Sequence, residues 1–231
     1  MHFSELARTF DAIERTSARR ELVTLLAELF GKAEDDELQP LIYLSQGRLA
    51  PAFVPLEFGM AEKTVADAIA QAYGIDRAAV LERYNALGDL GRVASELRQA
   101  WRPSQQADTG GAPDAALDVT AIYTRLREIA ETSGAGSIAR KTELLAALLR
   151  QIDHIGAKHL VRIPLGQLRL GIGDPTILDA LSVAQQGDKK LRPTLEAAYN
   201  RISDLGVFRE LRCRGNVHAE PDDVAHAVKR T

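Results

Sequence analysis

Three glycines, Gly166, Gly171 and Gly173, crowd the segment GQLRLGIGDPTILDAL (residues 166–181) together with Arg169. Glycine has no side chain, so its backbone can approach a partner closely. A helix that starts just beyond presents free N–H groups and partial positive charge, which suits phosphate. Arg169 adds a full charge between the glycines. Asp174 is placed to cap the helix, Pro175 suits its first position, and Thr176 follows. The chemistry on offer is the holding of an anion; the alternative is a tight interhelical turn with no ligand. No Gly-Lys-Ser/Thr follows, so this is not a P-loop. A related segment, FGMAEKTVADAI (residues 58–69), keeps Gly59 and Thr64, with Lys63 in place of Pro175 and Ala61 in place of Gly173. Upstream, Gly47-Arg48 corresponds to Gly166-Gln167. With both glycines and a local excess of Lys/Arg, the second turn is expected to make the stronger contact.

Other reactive residue types do not assemble into a catalytic pattern. His154 and His159 are five apart, which is not the one-face spacing of an HExxH pair, and no metal site is expected. The single cysteine, Cys213, has no triad context and permits no internal disulfide. Asp89-Leu90-Gly91 and Asp204-Leu205-Gly206 read as helix starts with a capping Asp. The paired Tyr84-Asn85 and Tyr199-Asn200 read as packing and helix-end residues.

These turns need a scaffold, and the composition says which. The 231 residues are 45% hydrophobic, 26% charged and only 5% aromatic, with Ala and Leu abundant, which favours helix over strand. Apolar residues recur at helical spacing over about 3–15, 18–30, 62–73, 76–86, 89–100, 117–131, 139–151, 175–186, 189–202 and 204–212. No stretch alternates as a strand does. An all-α fold is expected. The start, MHFSELARTF, is not a signal peptide, and no apolar run suits a membrane span. A cytoplasmic, nucleoid-associated location follows, with no membrane partner. The net charge of −3 sits unevenly: residues 1–100 hold 11 Lys/Arg against 16 Asp/Glu, and residues 158–214 hold ten against six. Phosphate binding needs a local basic surface, not a basic total.

A Pro/Gly-rich linker, RPSQQADTGGAPDAA (102–116), separates two similar halves, 1–101 and 117–215. IERTS matches IAETS, ARREL matches ARKTEL, and LIYLSQGRL matches LVRIPLGQL. FGMAEKTVADAI matches LGIGDPTILDAL, and YNALGDLG matches YNRISDLG. The order is the same throughout, which predicts two halves related by an approximate two-fold axis. Duplex DNA has local two-fold axes of its own. Such a protein could offer one glycine turn to each strand across the minor groove, without reading sequence. Trp101 is expected to anchor the end of the first half.

The segments LRLGIGDPTILDAL and LIYLSQGRLAP, with the two YNxxxDLG segments, resemble the N-terminal DNA-binding domain of ATP-dependent DNA ligases of the archaeal and eukaryotic replicative type. The resemblance runs from about residue 3 to about residue 215. It implies an all-helical domain that grips nicked duplex through the minor groove, in DNA replication, repair and recombination. It implies DNA contacts at Gly47, Arg48, Gly59, Lys63, Thr64, Gly166, Gln167, Arg169, Gly171, Gly173 and Thr176. Family ligases attach AMP to a Lys-x-Asp-Gly lysine in a following adenylation domain and use an OB-fold domain after it. No lysine here has that context. No catalytic residue and no cofactor is therefore assigned to this chain. ATP and a divalent metal such as Mg belong to the domains that would follow residues 216–231, and a sliding clamp is a further possible partner. A stand-alone, non-catalytic DNA-binding protein and a helical protein-interaction scaffold are the alternatives.

Overall fold

The computed structural model describes residues 1–102 and 117–208. Nearly all of the linker, Cys213 and the segment beyond 215 lie outside the described residues, as do residues 209–212 of the helix expected at 204–212. Eleven helices make up the described fold: α1 (Phe3–Glu14), α2 (Arg19–Lys32), α3 (Leu38–Ser45), α4 (Glu62–Tyr73), α5 (Arg77–Leu87), α6 (Leu90–Ala100), α7 (Val119–Glu131), α8 (Ser137–Gln151), α9 (His154–Arg162), α10 (Asp174–Gln186) and α11 (Arg192–Ile202). No strand occurs among the described residues; one isolated bridge joins His2 to Asp118. The expected all-α class is what is found. No described helix is long and apolar enough to cross a membrane.

Nine of the eleven described helices fall where periodicity predicts them, and two, α3 and α9, lie outside the expected stretches. In α3, seven residues of LQPLIYLS are buried, Pro40 among them. A helix covered on all sides lacks the polar face that periodicity detects. In α9, buried residues include Gly156, His159 and Arg162, so polar and apolar types no longer report inside and outside.

The described chain forms two compact units. One comprises Met1, residues 9–55 and residues from 169 onward; the other comprises residues 2–8 and 56–168. In the first unit α2 packs on α10, and α11 lies against α10. Leu22, Leu26 and Phe30 supply the buried side of α2, and Ile177, Leu178 and Leu181 that of α10. In the second unit α4 packs on α8, α6 on α9, and α7 on α8. Each unit thus takes helices from both sides of the linker. By the sequence repeat, α2 corresponds to α8 and α4 to α10, so the α2–α10 and α8–α4 pairs join corresponding helices, one pair in each unit.

The repeated Asp-Leu-Gly segments show why their residue types recur. Asp89 caps α6, accepting from Gly91 N at 2.8 Å and Arg92 N at 3.4 Å. It also pairs with Arg162 of α9, which is 3% exposed. Burial pushes the Asp89 carboxyl up, but hydrogen bonds and charge from Arg162 outweigh it and hold it below its ordinary value. Asp204 accepts from Gly206 N at 2.8 Å and from the buried Tyr43 hydroxyl at 2.9 and 3.0 Å. Tyr43 stands at the repeat position of Arg162. Both glycines are required by space: a Cβ on Gly91 would strike the Lys158 carbonyl and Arg162, and one on Gly206 the Tyr43 ring. Trp101 ends α6, its ring 6.0 Å from Tyr73 and 5.1 Å from the Arg98 guanidinium. It does anchor that end of the first half.

Asp179 of α10 has a 6% exposed side chain and takes three cations: Arg192 at 2.7 Å, Lys189 at 2.8 Å and Arg19 at 3.3 Å. Burial pushes its carboxyl up, yet hydrogen bonds from Lys189 and Arg192, with their charges, hold it below the usual range. The folded pKa therefore lies below the unfolded one. Its contribution to stability is complete above about pH 4 and is lost as pH falls through the depressed folded value. Asp179→Ala is expected to cost about 1–3 kcal/mol at neutral pH and progressively less in acid. Urea titrations at pH 7 and pH 3 check this. The corresponding Asp67 pairs with Arg77 at 3.3 Å but is 40% exposed. Asp67→Ala should cost under about 1 kcal/mol.

Candidate nucleic-acid interface

The eleven residues expected to contact DNA fall into two clusters, one per unit, and neither cluster is one half of the sequence. The first unit holds Gly47, Arg48, Arg169, Gly171, Gly173 and Thr176; the second holds Gly59, Lys63, Thr64, Gly166 and Gln167. The turn after α3 therefore meets the glycine turn from beyond the linker, and the turn after α9 meets the one from before it.

Local chemistry builds the turns in matching ways. Gly47 ends α3 at φ 68° and Gly166 follows α9 at φ 63°. Arg48 N donates to Tyr43 O and Gln167 N to Arg162 O, both at 2.9 Å. This closes the helix end over a left-handed glycine. The other two turns depend on Gly59 at φ 58° and Gly171 at φ 64°. Gly173 differs from them. It has φ −98° and ψ 166°, almost the extended backbone of Ala61 at φ −85° and ψ 166°. The replacement of Gly173 by Ala61 in the first turn therefore leaves the shape of the backbone unchanged.

Carboxylates tie the turns to each other. Asp174 does not cap α10, whose N-cap is Gly173 without a side-chain bond. As the first helical residue it accepts instead from Gln46 Nε2 at 2.7 Å and from the Tyr199 hydroxyl. Glu62, the first residue of α4, accepts from the Tyr84 hydroxyl at 2.6 Å and from Gln167 Nε2 at 3.4 Å. Each carboxylate so fastens the turn after α3 or α9 to a helix start from the other side of the linker. The hydrogen bond to Asp174 pushes the Tyr199 hydroxyl above its ordinary pKa, with Arg48 nearby opposing it. Periodicity does not find Tyr84, Tyr199, Glu62 and Asp174 as turn-clamping residues. Their correspondence in the repeat is the signal that does. In the second unit the buried Lys141 adds a brace, donating to Phe58 O at 2.5 Å just before Gly59.

The two helix starts offer different amides. In α10, Pro175 has no N–H and Thr176 N bonds Gly173 O at 2.9 Å, so the start is poorer in free donors than its sequence suggests. In α4 the first bonded amide is Val65 N, which donates to Ala61 O at 3.1 Å. Arg48, Lys63, Arg169, Gly59, Gly171 and Gly173 are all exposed. Arg48, Lys63 and Arg169 form no ion pair with another described residue. Thr176 is buried and Thr64 half-buried.

An all-helical module with two exposed glycine turns, each set against a helix start and beside an exposed cation, is the class that fold and site define. A family model described as the DNA ligase N terminus matches residues 2–182, and the chain belongs to that family. It is 42% identical over 219 residues to a probable DNA ligase of Dictyoglomus thermophilum. It is 37% identical over 220 residues to a DNA ligase of Acidianus ambivalens, and 38% identical over 210 residues to DNA ligase 1 of Methanosarcina acetivorans. These matches cover 95%, 94% and 91% of the chain but 36%, 37% and 34% of the relatives. The chain thus spans about a third of the length of the relatives it matches.

Proposed function

We propose that this chain is the duplex-binding module of an ATP-dependent DNA ligase, holding nicked DNA through the minor groove. The observation that carries this reading is the pair of turn clusters, with Arg48 and Arg169 exposed in one and Lys63 in the other, on a chain of the ligase N-terminal family. Backbone at Gly171 and Gly59 supplies close approach, and the cations supply phosphate contacts that carry no sequence information. The role belongs to nick sealing in replication, repair and recombination, in a cytoplasmic, nucleoid-associated protein. An adenylation domain and an OB-fold domain would perform the chemistry with ATP and a divalent ion, and a sliding clamp could position the whole. No adenylation step is derived for the residues of this chain, because no Lys-x-Asp-Gly occurs among them.

The test is binding of a labelled nicked duplex at a series of salt concentrations. Affinity should be tolerant of sequence and should fall steeply with salt, as released counterions require. Arg169→Ala should remove roughly one unit from the log-affinity against log-salt slope, and Arg48→Ala and Lys63→Ala likewise, if each meets one phosphate. A parent chain that ignores duplex at low salt sinks this reading and favours a protein-interaction scaffold.

A second measurement follows from the missing motif. A nucleophilic lysine needs a pocket that binds ATP and lowers its pKa. Incubation of the chain with labelled ATP and Mg should leave it unlabelled, and a covalent AMP adduct would contradict the assignment.

A further inference from the structure

The two connections between glycine turns are not equal in length. Eleven residues separate Gly47 from Gly59, whereas four separate Gly166 from Gly171. The first connection thus carries seven extra residues, and nothing in the tie between turn and helix start requires them. They form a projecting tip. Val54 N donates to Pro51 O at 3.0 Å, closing a turn that presents Ala52 and Phe53. Phe53 is 64% exposed and Val54 42%, two of the three large hydrophobic side chains that stand out from the described surface. Pro51 and Pro55 flank the tip, so its backbone loses little freedom when it meets a partner. Phe53 and Val54 are adjacent, so the end of the stiffened loop offers a continuous apolar surface to a partner.

We infer that Phe53 is an apolar wedge for the minor groove, seated against the sugar walls beside the phosphates held at Arg48; this rests on the reading of the module as a duplex binder. Three observations favour DNA as the occupant. The tip arises from the same loop as a candidate phosphate-contacting turn, only six residues from Gly47 and six from Gly59. A six-residue tether reaches at most ~20 Å, so the tip stays close to the groove that Arg48 would flank. Residues 49–56, LAPAFVPL, carry no charge, in a half of the chain where Asp and Glu outnumber Lys and Arg. Between Gly47 and Gly59 the charged residues are Arg48 and Glu57, so the tip itself sets no charge against a polyanion. Apolar side chains of this kind enter minor grooves and lean on or between sugars and bases.

The experiment compares the parent chain with Phe53→Ala, Phe53→Trp and Phe53→Glu on a nicked duplex across a salt series, with a thermal melt of each. Phe53 is exposed, so all melts should agree within a degree or two. Phe53→Ala should weaken binding about tenfold with the salt slope unchanged, because the wedge neutralises no phosphate. Phe53→Trp should bind like the parent, and Phe53→Glu should be worse than Phe53→Ala. If the parent binds and Phe53→Ala binds equally well, the wedge is refuted while the duplex reading stands, and the tip faces a protein instead. If Phe53→Ala lowers the slope, the loss is electrostatic and the wedge is again refuted. A parent that does not bind at low salt removes both.

Discussion

Gly171→Val and Gly59→Val are each expected to lower nicked-duplex affinity by tenfold or more and to cost stability as well, to a similar degree. Both residues sit in the left-handed region, at φ 64° and φ 58°. A β-branched side chain is an outlier there, and such strain costs about 1–3 kcal/mol. Space is not the limit: a Cβ on Gly171 would meet nothing within 4 Å, and one on Gly59 only the Lys141 ammonium at 3.4 Å. The sequence suggests a milder effect at Gly59, since Ala61 already tolerates a side chain nearby. The backbone angles give the two sites equal standing, because Ala61 corresponds to Gly173 and not to Gly171. Gly173 then separates folding from binding. Its extended backbone accepts alanine, and the new Cβ would touch only Pro175 Cδ, at an ordinary 3.6 Å. Gly173→Ala should melt like the parent. If it nevertheless loses affinity, backbone at 173 lies against the duplex; if it binds fully, close approach is confined to Gly171. Should Gly171→Val hold duplex as tightly as the parent, the turn is a plain connection.

Asp89→Ala should be among the most damaging polar truncations of the second unit, costing about 3–5 kcal/mol. It removes the α6 cap, worth about 1 kcal/mol, and takes the Asp89 carboxylate away from Arg162, a residue only 3% exposed. Against a typical total of about 5–15 kcal/mol this approaches unfolding. Asp89→Asn divides the two effects. Asparagine caps nearly as well as aspartate, so what it loses reports the ion pair. Pairing Asp89→Asn with Arg162→Met should recover part of the loss, since the buried cation facing position 89 is then removed as well. Because Arg162 holds the Asp89 pKa down, the pair stabilises fully above the ordinary carboxylate range and fails as pH falls through the lowered value. Chemical denaturation at pH 7 and pH 3 tests both statements. An Asp89→Ala chain as stable as Asp67→Ala would show the pair to be of surface strength.

The ligase likeness was legible in short segments because turns constrain residue type tightly. Gly59, Gly171 and the two Asp-Leu-Gly segments each answer to a backbone angle, an Asp-bonded amide or a forbidden Cβ. Such local demands are written in local sequence, and they survive as the motifs LRLGIGDPTILDAL and YNALGDLG. The role given to Asp174 was not legible. Asp-Pro at a helix start reads as a cap, and only the neighbouring Gln46 and Tyr199 draw its carboxylate elsewhere.

The sequence by itself determined the helical class, the bounds of the amphipathic helices, the glycine turns and the exposed cations, since each follows from spacing within a dozen residues. It did not determine α3, where burial on nearly every side erases the stripe that marks a helix, or α9, whose buried side includes Gly156, His159 and Arg162. Nor did it determine which turn meets which. Gln46 reaches Asp174 across 128 residues and Gln167 reaches Glu62 across 105. Two similar halves offer each turn two similar helix starts, and local sequence does not distinguish them. The packing of α2 on α10 and of α4 on α8 makes that choice. Burying each apolar stripe against a helix from across the linker brings the turns together in exchanged pairs.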